Sequence, residues 1–388
     1  MSASASAGPG SGSAAARQGV VNRLFFPARR SDQVDALDGL RGIAVLIVVF
    51  SHLSNSRLHV VPGLDLAGIG KSGVFLFFVL SAFLLTRPML GLEPVQVLEP
   101  RRLLSYFLRR FLRIAPLYSI VLLTHTLVSE ASRRPIVPPM DAPLLVEHLT
   151  LRAGISVYWA IPVEVTFYGV LPLLALGLAL AGRGGSRARL AGVWGITLAA
   201  AIWTPTEAAR GNSIALAPYL SAFLIGITAA VLSRELEARV RNVSGRTLAI
   251  FLESAAWLCL SVGVLLVPSL WSAATGSAVR PDHFHGQVVA FSTLWAIVLI
   301  GALHGRGALR RMLEWKPLRW VGVVSFSLYL WHMMLLQALL SSLRSWPGLV
   351  LALLILGLSL VAAGVSFLLI ERPFLHSKWV RSALRRLS

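Results

Sequence analysis

The sequence predicts an all-α membrane protein, a bundle of about ten transmembrane helices with both termini on the cytoplasmic side. Hydrophobic residues fill 56% of the 388 positions and charged residues only 14%, against roughly 25% charged in an ordinary soluble domain. Apolar runs near the length of about 20 residues that a bilayer core demands recur along nearly the whole chain. They leave no room for a sizeable aqueous domain. The basic residues cluster between these runs, as membrane-flanking charges do.

Residues 1–34 open with MSASASAGPGSGSAAARQG and continue through VNRLFFPARR. They are small, polar and basic, with no apolar core of signal-peptide length, and read as a disordered cytoplasmic tail without a cleaved export signal. One transmembrane domain is expected over 35–375. Its spans centre on 37–54, 70–90, 106–128, 158–181, 190–206, 213–233, 248–269, 286–304, 319–341 and 347–370. The first is short and glycine-bearing, and the fifth and sixth are joined by a very short loop around Glu207 and Arg210. The longest outer loop, 130–152, carries Pro135, Pro138, Pro139 and Pro143 and is expected to be irregular. Residues 376–388 form a basic cytoplasmic tail.

An even number of spans puts both termini on one side, and the basic residues say which. Of 36 Lys and Arg, only Arg57, Lys71, Arg133, Arg134, Arg152, Arg210, Arg280 and Arg344 fall on outer segments if the N-terminus is inside, a strong positive-inside bias. The net charge of +19 then reflects anionic membrane lipid and phosphate-bearing ligands at the inner face, with no nucleic acid partner. The single cysteine, Cys259, excludes an intrachain disulfide framework and leaves thiol or Cys-ligated metal chemistry unsupported. No internal repeat suggests an inverted-repeat transporter. There is no G-x-S-x-G elbow, Walker A loop, H-E-x-x-H helix or dinucleotide fingerprint. Asp282, His283 and His285 make only an isolated H-x-H, so no metal is expected.

Ionisable groups within spans are costly to bury and mark functional sites. The first span, LDGLRGIAVLIVVFSHL, holds Asp38, Arg41 and His52. Eleven residues at 100° each return His52 to within about 20° of the face of Arg41, roughly 16 Å along the axis. In YWAIPVEVTFYGVLPLL, Glu164 follows Tyr158 by about 9 Å of rise. In VGVVSFSLYLWHMML, His332 follows Trp320 by about 20 Å if the helix is continuous. His52, Glu164 and His332 are therefore expected to converge at similar depth. A carboxylate beside a histidine raises its basicity and fixes its tautomer, as general-base or acyl-relay chemistry requires. Arg110 and Arg113, three apart at the cytoplasmic edge of the third span, could clamp phosphates or serve only as positive-inside anchors. Ser81 stands near the middle of FLFFVLSAFLLT, whose aromatic residues read as packing.

These segments resemble the acyltransferase 3 family of multi-span membrane acyltransferases. The resemblance runs in order through LDGLRGIAVLIVVFSHL (37–53), SGVFLFFVLSAFLLT (72–86), YFLRRFLRIAPLY (106–118), YWAIPVEVTFYGVLPLL (158–174), SFSLYLWH (325–332) and LIERPF (369–374). It implies a fold of about ten helices that uses acyl-CoA, acetyl or another short chain, at the inner face of the plasma membrane to acylate hydroxyls. The family's Arg, ten residues, His pattern falls on Arg41 and His52, its Arg-x-x-Arg pattern on Arg110 and Arg113, and its Glu after a Trp on Glu164 after Trp159. His52 and Glu164 are thus the expected catalytic pair and Arg41, Arg110 and Arg113 the expected acyl-CoA contacts. Trp159, Tyr168, His332 and Ser81 are expected to bind the acceptor. Two positions depart from the pattern: Ala82 replaces the usual Gly, and Ala160 replaces the Ser or Thr after the Trp. No hydrolase-like domain is expected after the last span. The implied acceptor is a small-molecule or glycan hydroxyl, on a secreted natural product such as a macrolide or on a cell-envelope sugar. The alternative from another class is a transporter or exporter of a polar or glycosylated substrate that performs no acyl transfer.

Overall fold

The computed structural model describes residues 25–26, 35–131, 138–240 and 245–376. The tails expected at 1–34 and 376–388 lie outside the described residues, apart from 25, 26 and 376. Among the described residues every regular element is helical. The ten long helices are α1 Asp35–Asn55, α2 Gly70–Thr86, α3 Pro100–Ala131, α4 Ala160–Ala181, α5 Gly185–Ile202, α6 Leu220–Val240, α7 Gly245–Leu265, α8 Val288–His304, α9 Ser325–Ser342 and α10 Gly348–Ser366.

Each expected segment except the ninth falls on one of these helices; the ninth, 319–341, is divided between a shorter helix and α9. Among the described residues, length and hydropathy qualify seven stretches as candidate membrane spans, with α4 and α5 joined in the single stretch Ser156–Ile202. A bent pair ending in α9 raises the number to eight, and α8 is apolar but only 17 residues long. Helices such as α8 and α10 carry no charged residue apart from His304 at the end of α8 and are apolar nearly all round, which in a soluble protein would demand complete burial. Here Leu173, Trp194, Phe251 and Val361 are exposed, as a lipid-facing belt requires. The centre is packed by α1, α2 and α6, where Phe75, Phe78, Phe223 and Leu40 are fully buried.

Small residues set the closest approach. Gly42 of α1 and Gly322 of the short helix Lys316–Val323 pack backbone to backbone: a Cβ on Gly42 would strike the Leu318 carbonyl, and one on Gly322 the Asp38 carbonyl. Such contact is possible only without side chains. The Arg319 guanidinium reinforces it by pairing with Asp35 at 2.6 Å.

Two expectations are corrected. The ninth segment is not one continuous helix: Lys316–Val323 meets α9 at a 75° bend at Val324, because the first helix is held against α1 by the Gly322 contact and the Arg319 ion pair. His332 therefore lies two turns into α9, not at the end of one straight helix that rises about 20 Å from Trp320. The loop 130–152 is not wholly irregular either. Helix Ala142–Leu149 forms in it because Asp141 caps it, accepting from the Leu144 amide at 2.9 Å, and Pro143 sits in the first turn, where its missing N–H costs nothing. Residues 132–137 of that loop lie outside the described residues.

Candidate functional site

Two cavities lie along α1. The one nearer its N-terminal end has an empty volume of about 860 Å³, open solvent included, and is lined by Arg41, Arg110, Arg113, Ser81, Glu164 and Tyr168 among others. Arg110 and Arg113 reach it from the same face of α3, as their spacing of three dictates.

The charges there are organised. Arg113 is ion-paired with Glu371, whose other oxygen accepts from the Ser327 hydroxyl at 2.5 Å. Glu371 closes the π-helical turn Phe367–Glu371 that follows α10, and such turns are frequent at functional sites. Arg110 lies over the Tyr168 ring, 5.8 Å from its centroid, and its buried Nε has no hydrogen-bond partner among the described residues. Arg41 forms no ion pair among the described residues. Glu164 accepts from the Ser81 hydroxyl at 2.8 Å and the Tyr168 hydroxyl at 2.5 Å. The site thus holds three guanidinium groups against two carboxylates, Glu164 in the lining and Glu371 paired with Arg113, an excess of positive charge that suits an anion such as a phosphate ester.

The second cavity, nearer the C-terminal end of α1, is lined by His52, Lys71, Trp159, Arg210, Asn212 and His285 among others. His52 and His332 face each other with ring centroids 5.3 Å apart. His332 is 2% exposed; its Nδ1–H donates to the Leu328 carbonyl at 3.1 Å, since only a protonated Nδ1 can bond that oxygen. Nε2 of the neutral ring then carries a lone pair, and it has no partner among the described residues. The His52 ring makes no side-chain hydrogen bond among the described residues and lines the cavity, where a ligand can reach it. Val74 and Tyr329 line both cavities and form the partition between them. The Tyr329 hydroxyl donates to the Val157 carbonyl at 2.6 Å, which pins it there.

The expected convergence of three groups is corrected to two. His52 and His332 meet, but Glu164 lines the arginine cavity. In a low-dielectric interior a carboxylate settles where donors satisfy it, and Ser81 and Tyr168 supply them. Trp159, by contrast, lies with His52, where its ring also faces the Lys71 ammonium at 5.5 Å. Lys71 and Glu371 were not singled out by the sequence. Each is an ionisable residue next to or inside an apolar run, GKSGVFLFF and FLLIERPF, which is the signal that could have found them. Among the described residues no group of three or more His, Cys, Asp and Glu is placed to hold a metal ion, and His285 bonds the Gly68 carbonyl at 2.9 Å.

A helical membrane bundle with an arginine-lined cavity and a histidine-lined cavity that share one wall is able to bind an anion on one side of that wall and to present an imidazole on the other. The chain belongs to the acyltransferase family described as "Acyltransferase domain", whose profile matches residues 34–371. It is 24% identical over 375 residues to a peptidoglycan O-acetyltransferase of Listeria monocytogenes, covering 88% of this chain and 55% of that protein. It is also 24% identical over 350 residues to a putative peptidoglycan O-acetyltransferase of Bacillus subtilis, covering 80% of this chain and 49% of that protein. The chain therefore spans about half the length of these relatives. No solved structure matches it.

Proposed function

We propose that this protein is an O-acyltransferase of the plasma membrane, with both termini cytoplasmic, that moves an acetyl or other short acyl group from cytoplasmic acyl-CoA to a hydroxyl of a glycan. The observation that carries this reading is the arginine cavity, with Arg41 free of any ion pair among the described residues beside Arg110 and Arg113. In this reading the donor's phosphates bind these arginines, and the pantetheine arm passes Val74 and Tyr329 to bring the thioester to His52. The acceptor hydroxyl gives its proton to the neutral His52 ring as its oxygen bonds to the acyl carbon. The carbon–sulfur bond then breaks, and the proton passes to the departing thiolate. General-base assistance of this kind contributes typically 10²–10⁴-fold. Glu164 holds Ser81 and Tyr168 in place on the donor side.

The two relatives are named as peptidoglycan O-acetyltransferases, which supports a glycan acceptor, and peptidoglycan is the first to try. Purified protein in liposomes should release CoA from labelled acetyl-CoA and label the glycan. Substrate crossing the bilayer with no CoA release would identify an exporter instead, and full transfer by His52→Ala at wild-type protein levels would overturn the role of His52. A glycosylated macrolide labelled in preference to glycan fragments would move the acceptor to natural products.

A further inference from the structure

We infer that the histidine cavity is built for an acceptor that carries an anionic group, a carboxylate or phosphate, held by Lys71 and Arg210 beside His52. This rests on the acyl-transfer reading and adds the acceptor's charge to it. Lys71 and Arg210 line the cavity together with His52, His285, Asn55 and Asn212, and no aspartate or glutamate lines it. Such one-signed lining focuses an attractive field on an anion.

The two cations are held differently, and both are available. Lys71 is 8% exposed; its Nζ donates to the Ala209 carbonyl and, at 2.9 Å, to the Arg210 carbonyl. These are the last carbonyls of the helix Thr206–Arg210, whose negative end suits an ammonium. An ammonium has three donors, so one remains for a ligand. The Arg210 guanidinium pairs at 3.1 Å with Glu207, whose side chain is 79% exposed. A solvent-exposed pair of this kind is weak, and a ligand anion would displace Glu207. Asn55, Arg210 and Asn212 are exposed, so the cavity opens beside Arg210, with Lys71 buried further in. A sugar entering there would place its anionic group at the mouth and its hydroxyls toward His52.

The test measures binding in detergent without anionic lipid, using three probes: methyl glucoside, methyl glucuronide and glucose 6-phosphate. The two charged sugars should bind the wild-type protein at least about tenfold tighter than the neutral one. Arg210→Gln should remove most of that preference, and Glu207→Gln, which releases Arg210, should increase it. Both substitutions are at exposed side chains, so folding is expected to survive. Tighter binding of only one charged sugar would assign the carboxylate or the phosphate. Equal affinity for all three, or the same direction of change in both variants, would overturn the inference. Either result leaves CoA release from acetyl-CoA, which tests acyl transfer itself, as a separate measurement.

Discussion

The rings of His52 and His332 stand 5.3 Å apart, from helices at opposite ends of the sequence. His332 has its Nδ1 proton committed to the Leu328 carbonyl, so its unpartnered Nε2 can only accept. A protonated His52 can donate to it, which would stabilise the imidazolium formed when His52 takes a proton. His52→Ala should lower kcat by about 10²–10⁴-fold. His332→Phe, which keeps the ring volume, should lower kcat less, with little change in KM for the donor. Steady-state CoA release separates the two, and a larger loss for His332→Phe than for His52→Ala would reverse their roles.

Arg110 and Arg41 should reveal the donor's phosphates. Lysine keeps the charge but not the planar fork that binds phosphate bidentately. Arg110→Lys and Arg41→Lys should each raise KM for acetyl-CoA by about tenfold, the effect of one lost interaction of about 1.4 kcal/mol. Acetyl-pantetheine, which lacks the phosphates, should show no such penalty. An equal penalty with both donors would mean that these arginines act on the thioester end or on the fold.

What the sequence made legible depends on whether one helix or several fixed the answer. The shared stripe of Arg41 and His52 and the paired face of Arg110 and Arg113 follow from the regular rise of single helices, and the structure lines its cavities with them. The position of Glu164 does not, because it depends on which donors α2 and α4 bring to it. Depth alone placed it with His52, whereas Ser81 and Tyr168 hold it among the arginines. The bend at Val324 was hidden for the same reason. VGVVSFSLYL holds no proline, and its single glycine weakens a helix by only about 1 kcal/mol; the cause of the bend is the packing of Gly322 on a distant turn of α1.

The Arg113 and Glu371 pair should be structural as well as functional. Its side chains are 16% and 1% exposed, and removing one partner of a buried pair typically costs about 3–5 kcal/mol because the other charge is left uncompensated. Glu371→Gln should therefore lower the thermal unfolding temperature in detergent, and adding Arg113→Gln should restore part of the loss. If the double variant is less stable than Glu371→Gln alone, the pair is not the origin of the effect.

His148, in the helix Ala142–Leu149 outside the spans, should make its own loop acid-sensitive. Its Nδ1–H donates to the Leu144 carbonyl at 2.8 Å and its Nε2 accepts from the Ile155 amide at 3.0 Å, so the ring must be neutral. Burial lowers its pKa from the usual 6.5, opposed by the Leu144 bond and by Glu147. The unfolded loop thus binds the proton more readily, and the stabilisation present above about pH 6.5 is lost as pH falls toward the depressed native value. Hydrogen exchange at Ile155, corrected for intrinsic rate, should accelerate between pH 7.5 and about pH 5.5. His148→Gln, which can still accept from Ile155, should flatten that dependence.

Gly322→Ala is the sharpest test of how the bent helix positions the site. The added Cβ would meet the Asp38 carbonyl oxygen of α1, a backbone atom that cannot swing aside as a flexible side chain could. Either α1 or the helix Lys316–Val323 must shift, and both lead into the arginine cavity, through Arg41 on one side and Ser325 and Phe326 on the other. Overpacking of this kind typically costs about 1–3 kcal/mol. The expected result is a lower unfolding temperature together with a raised KM for acetyl-CoA, because Arg41 moves relative to Arg110. Gly177→Ala is the control: it lies on α4 with nothing within 4 Å of a Cβ, and in a helix alanine is favoured over glycine by about 1 kcal/mol. If Gly322→Ala behaves like that control, the close packing of α1 on the bent helix does not position the arginines.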